Sequence, residues 1–286
     1  KDRKDADAIA NACKGKTVIV KSVERKEKAE KAPALYDLTS LQRDANRVLG
    51  YTSQQTLDYL QALYEKKLCT YPRTDSQYIT HDDLETLVRL TQRDDRVTGF
   101  ITPDTRPDQP RLGLTVNDKK VAGHTAILPT LRVNQTCLAD LNEQERLVLT
   151  RIVRRMWEAV SDDQIVEITT VQARISPECG TTATGITDED LETGFTTRQE
   201  QALQEGWKAI EPSCQQAEDT SDDEPDNVSR HDTIPPNLVE DVTLTPVCPA
   251  ELHKGETKPP ARFTDATLLN AMEHASRWLD MKTKNA

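Results

Sequence analysis

Hydrophobic and polar residues follow two different periods along this chain, and the places where the period changes predict its organisation. Residues 16–28 alternate apolar and polar side chains, which is typical of a strand, and residues 164–175 and 238–247 also favour strands. Residues 195–197 give a weaker strand pattern. Between residues 33 and 160 the apolar positions recur at helical spacing instead. We therefore expect a helical block inserted between two strand-rich parts of the chain.

Residue pairs of the capping-box type predict where the helices of this block begin, because each side chain satisfies a backbone N–H of the first turn. Gly50 predicts the end of the first helix. The first two helices have the appearance of a helix-turn-helix, although two packed helices of any small domain give the same pattern. The capping pairs are Thr39 with Gln42, Thr52 with Gln55, Thr80 with Asp83, and Asn142 with Glu145. The apolar positions are Leu57, Leu60, Leu63 and Tyr64 in the second helix, and Leu147, Val148, Ile152 and Met156 in the helix of residues 141–160.

The length and composition of the chain bound its fold class. At 286 residues it has room for about two domains of roughly 150 residues each. Its hydrophobic content of 36% is low for one compact globule and favours smaller cores joined in an open shape. No apolar run reaches the roughly 18 residues of a membrane span, and no signal-peptide pattern is present. Because the first residue is Lys1, we expect an excised fragment of a longer protein.

Six cysteines are scattered through the sequence, and no two of them have the C-x-x-C spacing that a zinc site would favour. Scattered cysteines are most simply free thiols of a reducing compartment, so we expect a cytoplasmic protein. Each thiol is expected to pack as a small apolar side chain.

The net charge of −11 is unusual for a protein that binds nucleic acid, but the acidity is regional. Residues 187–226 carry 13 Asp/Glu against 2 Lys/Arg, a balance of −11 that equals the net charge of the whole chain. Residues 1–31 are basic, with 10 Lys/Arg against 6 Asp/Glu. Because the residues outside 187–226 are neutral on balance, we expect local contacts with phosphate groups and not a broad basic surface that binds nucleic acid.

Residues 69–76, with the sequence CTYPRTDS, combine a nucleophile with a phosphate-binding group. Pro72 disfavours the α region for Tyr71, and in an extended backbone Tyr71 and Arg73 point to the same face. The phenol can attack phosphorus to form a covalent intermediate. The guanidinium can bind the phosphate oxygens bidentately and offset their developing charge. Thr74, Asp75 and Ser76 are expected to order the segment through side-chain-to-backbone hydrogen bonds.

Four segments carry a resemblance to a known family. They are residues 35–67, LYDLTSLQRDANRVLGYTSQQTLDYLQALYEKK; the tyrosine segment CTYPRTDSQYIT; residues 118–130, DKKVAGHTAILPT; and residues 259–273, PPARFTDATLLNAME. In this order they are similar to the helical lead-in, the active-site tyrosine segment, the second active-site segment and the start of the final conserved region of type IA DNA topoisomerases. A proline after the tyrosine resembles the topoisomerase III branch.

The resemblance implies a multidomain α+β fold in which a helical, tyrosine-bearing domain is inserted in a β-rich arch domain, as part of the toroid of this family. The arch would then comprise residues 1–32 and 161–256, with an acidic loop at 211–235. Residues 33–160 would form the helical domain, and residues 257–286 the start of a helical base domain.

The resemblance also implies an activity. Type IA enzymes are ATP-independent isomerases that cut one strand through a 5′-phosphotyrosine intermediate, pass a strand and reseal, and so relax negative supercoils and decatenate. The expected partners are DNA, especially single-stranded DNA, and the Toprim domain of the full-length chain, which would supply Mg²⁺. That domain is not in this sequence, so we expect no Mg²⁺ bound to this fragment and no activity from it alone. The parent enzyme is expected to be a monomer and associated with the nucleoid.

The site residues follow from matching the family segments position by position. Tyr71 matches the nucleophile, Arg73 the phosphate clamp, and His124 the histidine that assists at the scissile phosphate. Thr125 stands where many relatives have a second histidine. Further contacts with nucleic acid are expected from Ser76, Lys119, Lys120, Arg262 and Thr264.

Two other functions compete with this interpretation. The helix-turn-helix pattern is compatible with a non-catalytic DNA-binding module, which would form no covalent adduct. A relaxase or a tyrosine recombinase also uses a tyrosine nucleophile, but a relaxase needs a histidine cluster for its metal, and the 5 histidines are widely separated. A recombinase forms a 3′ link, so the polarity of the adduct distinguishes it.

Overall fold

The computed structural model describes residues 3–92, 100, 105–175, 195–210, 234–246, 255, 259 and 261–275. They belong to two compact units. One unit contains described residues of 1–29, 165–204 and 221–259, and the other contains described residues of 30–164, 205–220 and 260–286. Except for Ile234 and Pro235, the acidic loop predicted at 211–235 lies outside the described residues.

A four-stranded sheet organises the first unit. After helix α1 (Arg3–Cys13) come the strands β1 (Val18–Glu30), β2 (Gln164–Ile175), β3 (Phe195–Gln204) and β4 (Thr243–Leu244). The spatial order is β3-β2-β1-β4, and β1 with β4 and β2 with β3 are antiparallel pairs. Its buried core is small and contains Val20, Val171 and Leu238.

The strand predictions are confirmed in part. Residues 164–175 coincide with β2, and β1 is shifted by two residues from the predicted 16–28. The predicted 195–197 is only the beginning of β3. The strand predicted at 238–247 is wrong for the described residues 238–246 except for β4, because the chain turns there and Asp241 has a left-handed φ of 62°. Helix α1 has no counterpart among the predicted elements, because its apolar positions are mostly alanines, which give a weak periodicity.

The second unit has a larger core built by helices. Its elements are α2 (Leu38–Leu49), α3 (Ser53–Glu65), α4 (Leu84–Thr91), α5 (Gln135–Leu138), α6 (Glu143–Val160) and α7 (Asp265–Glu273). Leu41, Leu60 and Ile152 are completely buried in one cluster, so segments a hundred residues apart share a core. Among the described residues, no helix is both long and apolar enough to cross a membrane.

The predicted capping boxes are confirmed for α3 and α6. Thr52 and Gln55 cap α3 reciprocally, as Asn142 and Glu145 cap α6. Gly50 ends α2 with a φ of 70°, as predicted. The pair Thr39 and Gln42 does not cap α2; Asp37 and Ser40 do. A carboxylate is a strong N-cap and is stabilised by the helix dipole, so α2 begins at Leu38. Thr80 and Asp83 are hydrogen-bonded to each other, but Asp83 makes no side-chain cap of α4.

A buried ionic cluster lies within the helical core. Asp44 of α2 accepts hydrogen bonds from the Tyr36 hydroxyl and from the Arg151 guanidinium of α6. Arg155 lies 4.3 Å above the Tyr36 ring and pairs with Glu158. Burial would raise the pKa of Asp44, but Arg151 and Arg155 outweigh it, and the pKa lies below its ordinary value. Arg151 is only 4% exposed, so a charged residue shares the core with the apolar positions predicted for α6.

Candidate active site

The segment before Tyr71 is paired with a distant stretch of the chain. The Thr70 N–H donates to the Leu128 carbonyl at 2.9 Å, and the Thr130 N–H donates to the Leu68 carbonyl at 2.9 Å. The Thr70 hydroxyl accepts from the Leu128 N–H and donates to the Ala126 carbonyl. Because Leu68 and Leu128 are also buried in the helical core, this pairing fixes the backbone immediately before Tyr71.

The segment after Tyr71 is hydrogen-bonded to the backbone of residues 118–130, the predicted second active-site segment. The Thr74 hydroxyl donates to the His124 carbonyl at 3.0 Å and accepts from the Ser76 N–H at 3.1 Å. The Ser76 hydroxyl lies 3.0 Å from the Lys120 carbonyl and accepts from the Tyr78 N–H. Side-chain-to-backbone hydrogen bonds therefore order this segment, as predicted for Thr74 and Ser76.

The chain brings Tyr71 and His124 into direct ring contact. Their ring centroids are 4.2 Å apart with an angle of 35° between the planes. His124 is exposed and follows Gly123, whose φ of 149° is one that residues with a Cβ rarely adopt. Two of the three residues predicted to be catalytic thus lie side by side, although 52 positions separate them in the sequence.

Burial alternates along the tyrosine segment. Pro72, Thr74 and Ser76 are buried, whereas Arg73 is exposed and Tyr71 is half-buried. This alternation agrees with Tyr71 and Arg73 sharing a face. Within the described part of the chain, no carboxylate pairs with the exposed Arg73 guanidinium, whose donors could bind a phosphate.

A second aromatic ring contacts Tyr71. Tyr64, on the last turn of α3, lies edge-to-face with Tyr71, with centroids 5.6 Å apart and planes at 85°. The sequence predicted Tyr64 only as an apolar position of a helix. Its side chain is 38% exposed, and its contact with Tyr71 depends on the turn between them, which hydrophobic periodicity does not encode.

The neighbouring nucleophile, Cys69, is unsuited to attack. Its side chain is 2% exposed and its thiol lies 3.7 Å from the Leu60 carbonyl. Burial raises the pKa of the Cys69 thiol to about 12, so the reactive thiolate is scarce at neutral pH. Tyr71 is therefore the more accessible of the two nucleophiles in this segment.

Exposed cations lie around this group. Lys119 and Lys120 are in a short 3₁₀ helix of residues 118–120, and the Lys120 ammonium lies 4.7 Å from the centre of the Tyr78 ring. Lys67 and Arg132 are exposed and line a cavity of about 310 Å³. The wall of this cavity also includes Thr70 and Thr125, the chain neighbours of Tyr71 and His124.

The remaining predicted contacts have other surroundings. Ser76 is 3% exposed, and its hydroxyl is engaged within the loop. Thr264 caps α7 by accepting from the Thr267 N–H. In the first turn of α7, the Ala266 N–H donates to the Asn46 side chain, and the Asp265 carboxylate accepts from the Ser53 N–H. Arg262 is exposed. Within the described residues, no hydrogen bond joins Arg262 or Thr264 to Tyr71, Arg73 or His124.

A comparison with protein families identifies the family of the chain. A family model described as DNA topoisomerase matches residues 1–276. This chain belongs to the DNA topoisomerase family.

Curated DNA topoisomerases agree with this membership. The chain is 34% identical over 286 residues to DNA topoisomerase 3 of Bacillus licheniformis, covering 97% of this chain and 35% of that protein. It is also 34% identical over 279 residues to DNA topoisomerase 3 of Bacillus subtilis strain 168, covering 94% of this chain and 34% of that protein. The chain thus spans about a third of the length of the curated relatives it matches, and the resemblance to the topoisomerase III branch is confirmed.

A solved topoisomerase shares the fold. The structure of full-length topoisomerase I from Thermotoga maritima superposes with a TM-score of 0.64 at 19% identity, covering 94% of this chain and 39% of that one. The predicted α+β fold class is confirmed by this match, together with the helices and the antiparallel sheet.

The described residues of this chain were compared with what a metal site requires. Within the described ranges, no three His, Cys, Asp or Glu side chains are grouped so that they could bind one ion. Asp75 is the carboxylate nearest to Tyr71 in the sequence, and it is exposed. Mg²⁺ requires near-octahedral oxygen coordination, so these residues do not fit a resident ion.

Proposed function

We propose that this chain carries the nucleophile and the phosphate-binding groups of an ATP-independent type IA DNA topoisomerase of the topoisomerase III kind. The observation that carries the proposal is the contact between the rings of Tyr71 and His124, 4.2 Å apart, two residues before the exposed Arg73, which pairs with no carboxylate among the described residues. The proposed enzyme cuts one strand, passes a strand through the break and reseals it, which relaxes negative supercoils and decatenates.

In the cleavage step, the Tyr71 oxygen attacks the phosphorus of a phosphodiester and the phenol loses its proton. The Oη–P bond forms as the bond from phosphorus to the 3′ oxygen breaks, and that oxygen takes up a proton. The product is a 5′-phosphotyrosine and a free 3′ hydroxyl. Because one phosphodiester replaces another, the reverse attack reseals the strand without ATP.

Arg73 and His124 act on the phosphate in this proposal. The planar guanidinium of Arg73 binds two phosphate oxygens, which lysine cannot do with the same geometry. The His124 ring, in contact with the nucleophile, donates a hydrogen bond to a phosphate oxygen. Both interactions strengthen as negative charge develops on the oxygens, which lowers the barrier.

The remaining assignments belong to the same proposal. Residues 1–32 and 161–256 form the arch domain, 33–160 the helical domain and 257–286 the start of the base domain. Single-stranded DNA is the substrate, and Lys119, Lys120, Arg262 and Thr264 contact it, with Ser76 supporting the loop. The Toprim domain of the full-length protein supplies Mg²⁺, the enzyme is a monomer associated with the nucleoid, and this chain alone does not relax supercoiled DNA.

The decisive experiment traps a labelled single-stranded oligonucleotide on the full-length protein. Peptide mapping is expected to find the nucleotide on Tyr71, joined through the 5′ end. The variant Tyr71→Phe should form no adduct, whereas Tyr59→Phe, a half-buried position of α3 whose ring contacts Tyr51, should form as much as the parent. A 3′ adduct, or an adduct on another residue, would refute the proposal.

The second candidate, a non-catalytic helix-turn-helix module, is less well supported. The second helix of such a module inserts into DNA, and cations on its free face attract the phosphates. Helix α3 contains two acidic residues, Asp58 and Glu65, and no lysine or arginine. Helix α2 packs against α7, and Asp265 of α7 accepts from the Ser53 N–H at the start of α3. A module of this kind would bind DNA without any adduct.

A further inference from the structure

Tyr64 lies beside the proposed nucleophile but has no part in the chemistry described so far. Its ring meets the Tyr71 ring edge-to-face, and the His124 ring contacts Tyr71 as well. Edge-to-face geometry is a favoured arrangement of aromatic pairs, so the contact restricts how the Tyr71 ring can rotate.

The position of Tyr64 is fixed by its helix. Its neighbours Leu60 and Leu63 are completely buried in the helical core. The end of α3 is anchored to α6 because the Lys66 ammonium pairs with the Glu145 carboxylate at 2.6 Å. Tyr64 is therefore presented from a rigid element, as positioning groups of active sites require.

The turn after α3 brings the two tyrosines together. Lys67 has a left-handed φ of 59°, and the Leu68 N–H donates to the Leu63 carbonyl at 2.9 Å. This hydrogen bond is typical of a helix that ends in a left-handed residue. The chain then pairs through Thr70 with Leu128. Tyr71 therefore lies next to the end of α3 and contacts Tyr64, seven residues earlier in the sequence.

Ring contacts are what orient Tyr71 in this structure. Within the described residues, no group forms a hydrogen bond with the Tyr71 hydroxyl. The side chain is half-buried, and its backbone is fixed on both sides by the hydrogen bonds of Thr70 and Thr74. The direction of its hydroxyl therefore depends on Tyr64 and His124.

We infer that Tyr64 is a positioning residue that holds the Tyr71 ring in the orientation from which its oxygen attacks phosphorus. The inference rests on the proposed function. It requires the ring of Tyr64 and not its hydroxyl, because the contact is between rings. Misplacing a nucleophile by about 1 Å can slow a reaction by about a hundredfold, so the ring contact should affect the cleavage rate measurably.

The test compares three variants of the full-length protein: Tyr64→Leu, Tyr64→Phe and Tyr59→Leu. Tyr59 is the matched control, because it lies on the same helix and forms its own edge-to-face pair with Tyr51, with centroids 5.3 Å apart. The rate of adduct formation on a single-stranded oligonucleotide is measured in a single turnover. Affinity for the same oligonucleotide is measured by fluorescence anisotropy, with each substitution combined with Tyr71→Phe to prevent cleavage.

We expect Tyr64→Leu to slow cleavage by about tenfold or more, while Tyr64→Phe and Tyr59→Leu stay within about twofold of the parent. Affinity and melting temperature should change little in Tyr64→Leu. Parental cleavage by Tyr64→Leu would overturn the inference, as would Tyr64→Phe being equally slow, which would indicate a role for the hydroxyl. A tenfold loss of affinity in Tyr64→Leu would show instead that Tyr64 stacks on a base. If the parent forms no adduct on Tyr71, the proposed function itself fails.

Discussion

The hydroxyl of Thr74 donates a hydrogen bond to the backbone carbonyl of His124 at 3.0 Å. The same hydroxyl accepts from the Ser76 N–H, so one side chain connects the segment of Tyr71, the proposed nucleophile, to the segment of His124. Thr74 is buried, so without its hydroxyl the His124 carbonyl and the Ser76 N–H could form hydrogen bonds with water only if the backbone moved. The geometry of the site thus depends on a residue that touches neither of the proposed reacting rings.

Replacing Thr74 by valine tests this dependence, because valine keeps the shape and removes the hydroxyl. Two backbone groups lose their partner, and we expect the free energy of unfolding to fall by about 1–3 kcal/mol. The cleavage rate of the full-length protein should fall as His124 moves relative to Tyr71. Urea denaturation and single-turnover cleavage measure the two effects. Thr74→Ser retains the hydroxyl and should restore both, and an unaffected valine variant would contradict the prediction.

The ionic cluster around Asp44 should make the helical unit sensitive to acid. The pKa of Asp44 lies below its ordinary value because Arg151 and Arg155 outweigh the effect of burial. The stability that this carboxylate contributes is fully present above the unfolded pKa of about 4 and is lost as the pH falls through the lower folded pKa. The free energy of unfolding, measured from about pH 6 down to pH 2, should therefore fall steeply.

The matching substitution is Asp44→Asn, which removes the carboxylate that pairs with the buried Arg151. We expect a loss of about 3–5 kcal/mol at neutral pH, together with a shallower acid dependence. Asp58→Asn removes a carboxylate from the exposed face of α3 and should have little effect on either quantity. If both variants behaved alike, the cluster would not be the source of the acid sensitivity.

The left-handed turn at Lys67 predicts a stabilising substitution. A side chain with a Cβ at this φ costs about 1–2 kcal/mol, and glycine avoids that cost. Glycine loses more backbone entropy on folding, by about 0.5–1 kcal/mol, so Lys67→Gly should stabilise by up to about 1 kcal/mol. Lys67→Ala removes the charge but retains the Cβ and should not stabilise. Thermal unfolding of the three proteins distinguishes the effect of the backbone from that of the charge.

The sequence predicted local features better than distant contacts. Asn142 and Glu145 are three residues apart and have no competitor, so the start of α6 was predictable. Thr39 with Gln42 and Asp37 with Ser40 both fit a capping pattern, and Asp37 also accepts from Gln77, 40 residues away, a contact that the local pattern does not contain. The burial of Arg151 depends on Asp44, 107 residues away, and hydrophobic periodicity contains no signal for it.

The candidate site shows the same division. The shared face of Tyr71 and Arg73 was predictable because the two residues are only two positions apart in the sequence. The contact of His124 with Tyr71 was expected only through the family resemblance, because it depends on the pairing of Leu68 and Thr70 with residues 128–130. Tyr64 was missed as a neighbour of Tyr71, because their contact requires a left-handed turn at a lysine, and glycine or asparagine is the usual signal for such a turn.

Reactivity of the thiols provides a measure of whether the active-site segment opens. Cys69 is buried two residues before Tyr71, and burial raises the pKa of its thiol to about 12. Cys13 and Cys137 are only partly buried. Alkylation with iodoacetamide at pH 8, followed by peptide mass spectrometry, should therefore label Cys69 much more slowly than Cys137, because only the thiolate reacts.

The Thr74→Val variant should accelerate labelling of Cys69 without changing that of Cys137, since it weakens the connection of this segment to residue 124. Equal rates at Cys69 and Cys137 in the parent would show that the pairing of residues 68–70 with 128–130 opens readily in solution, contrary to the rigid frame proposed for Tyr71.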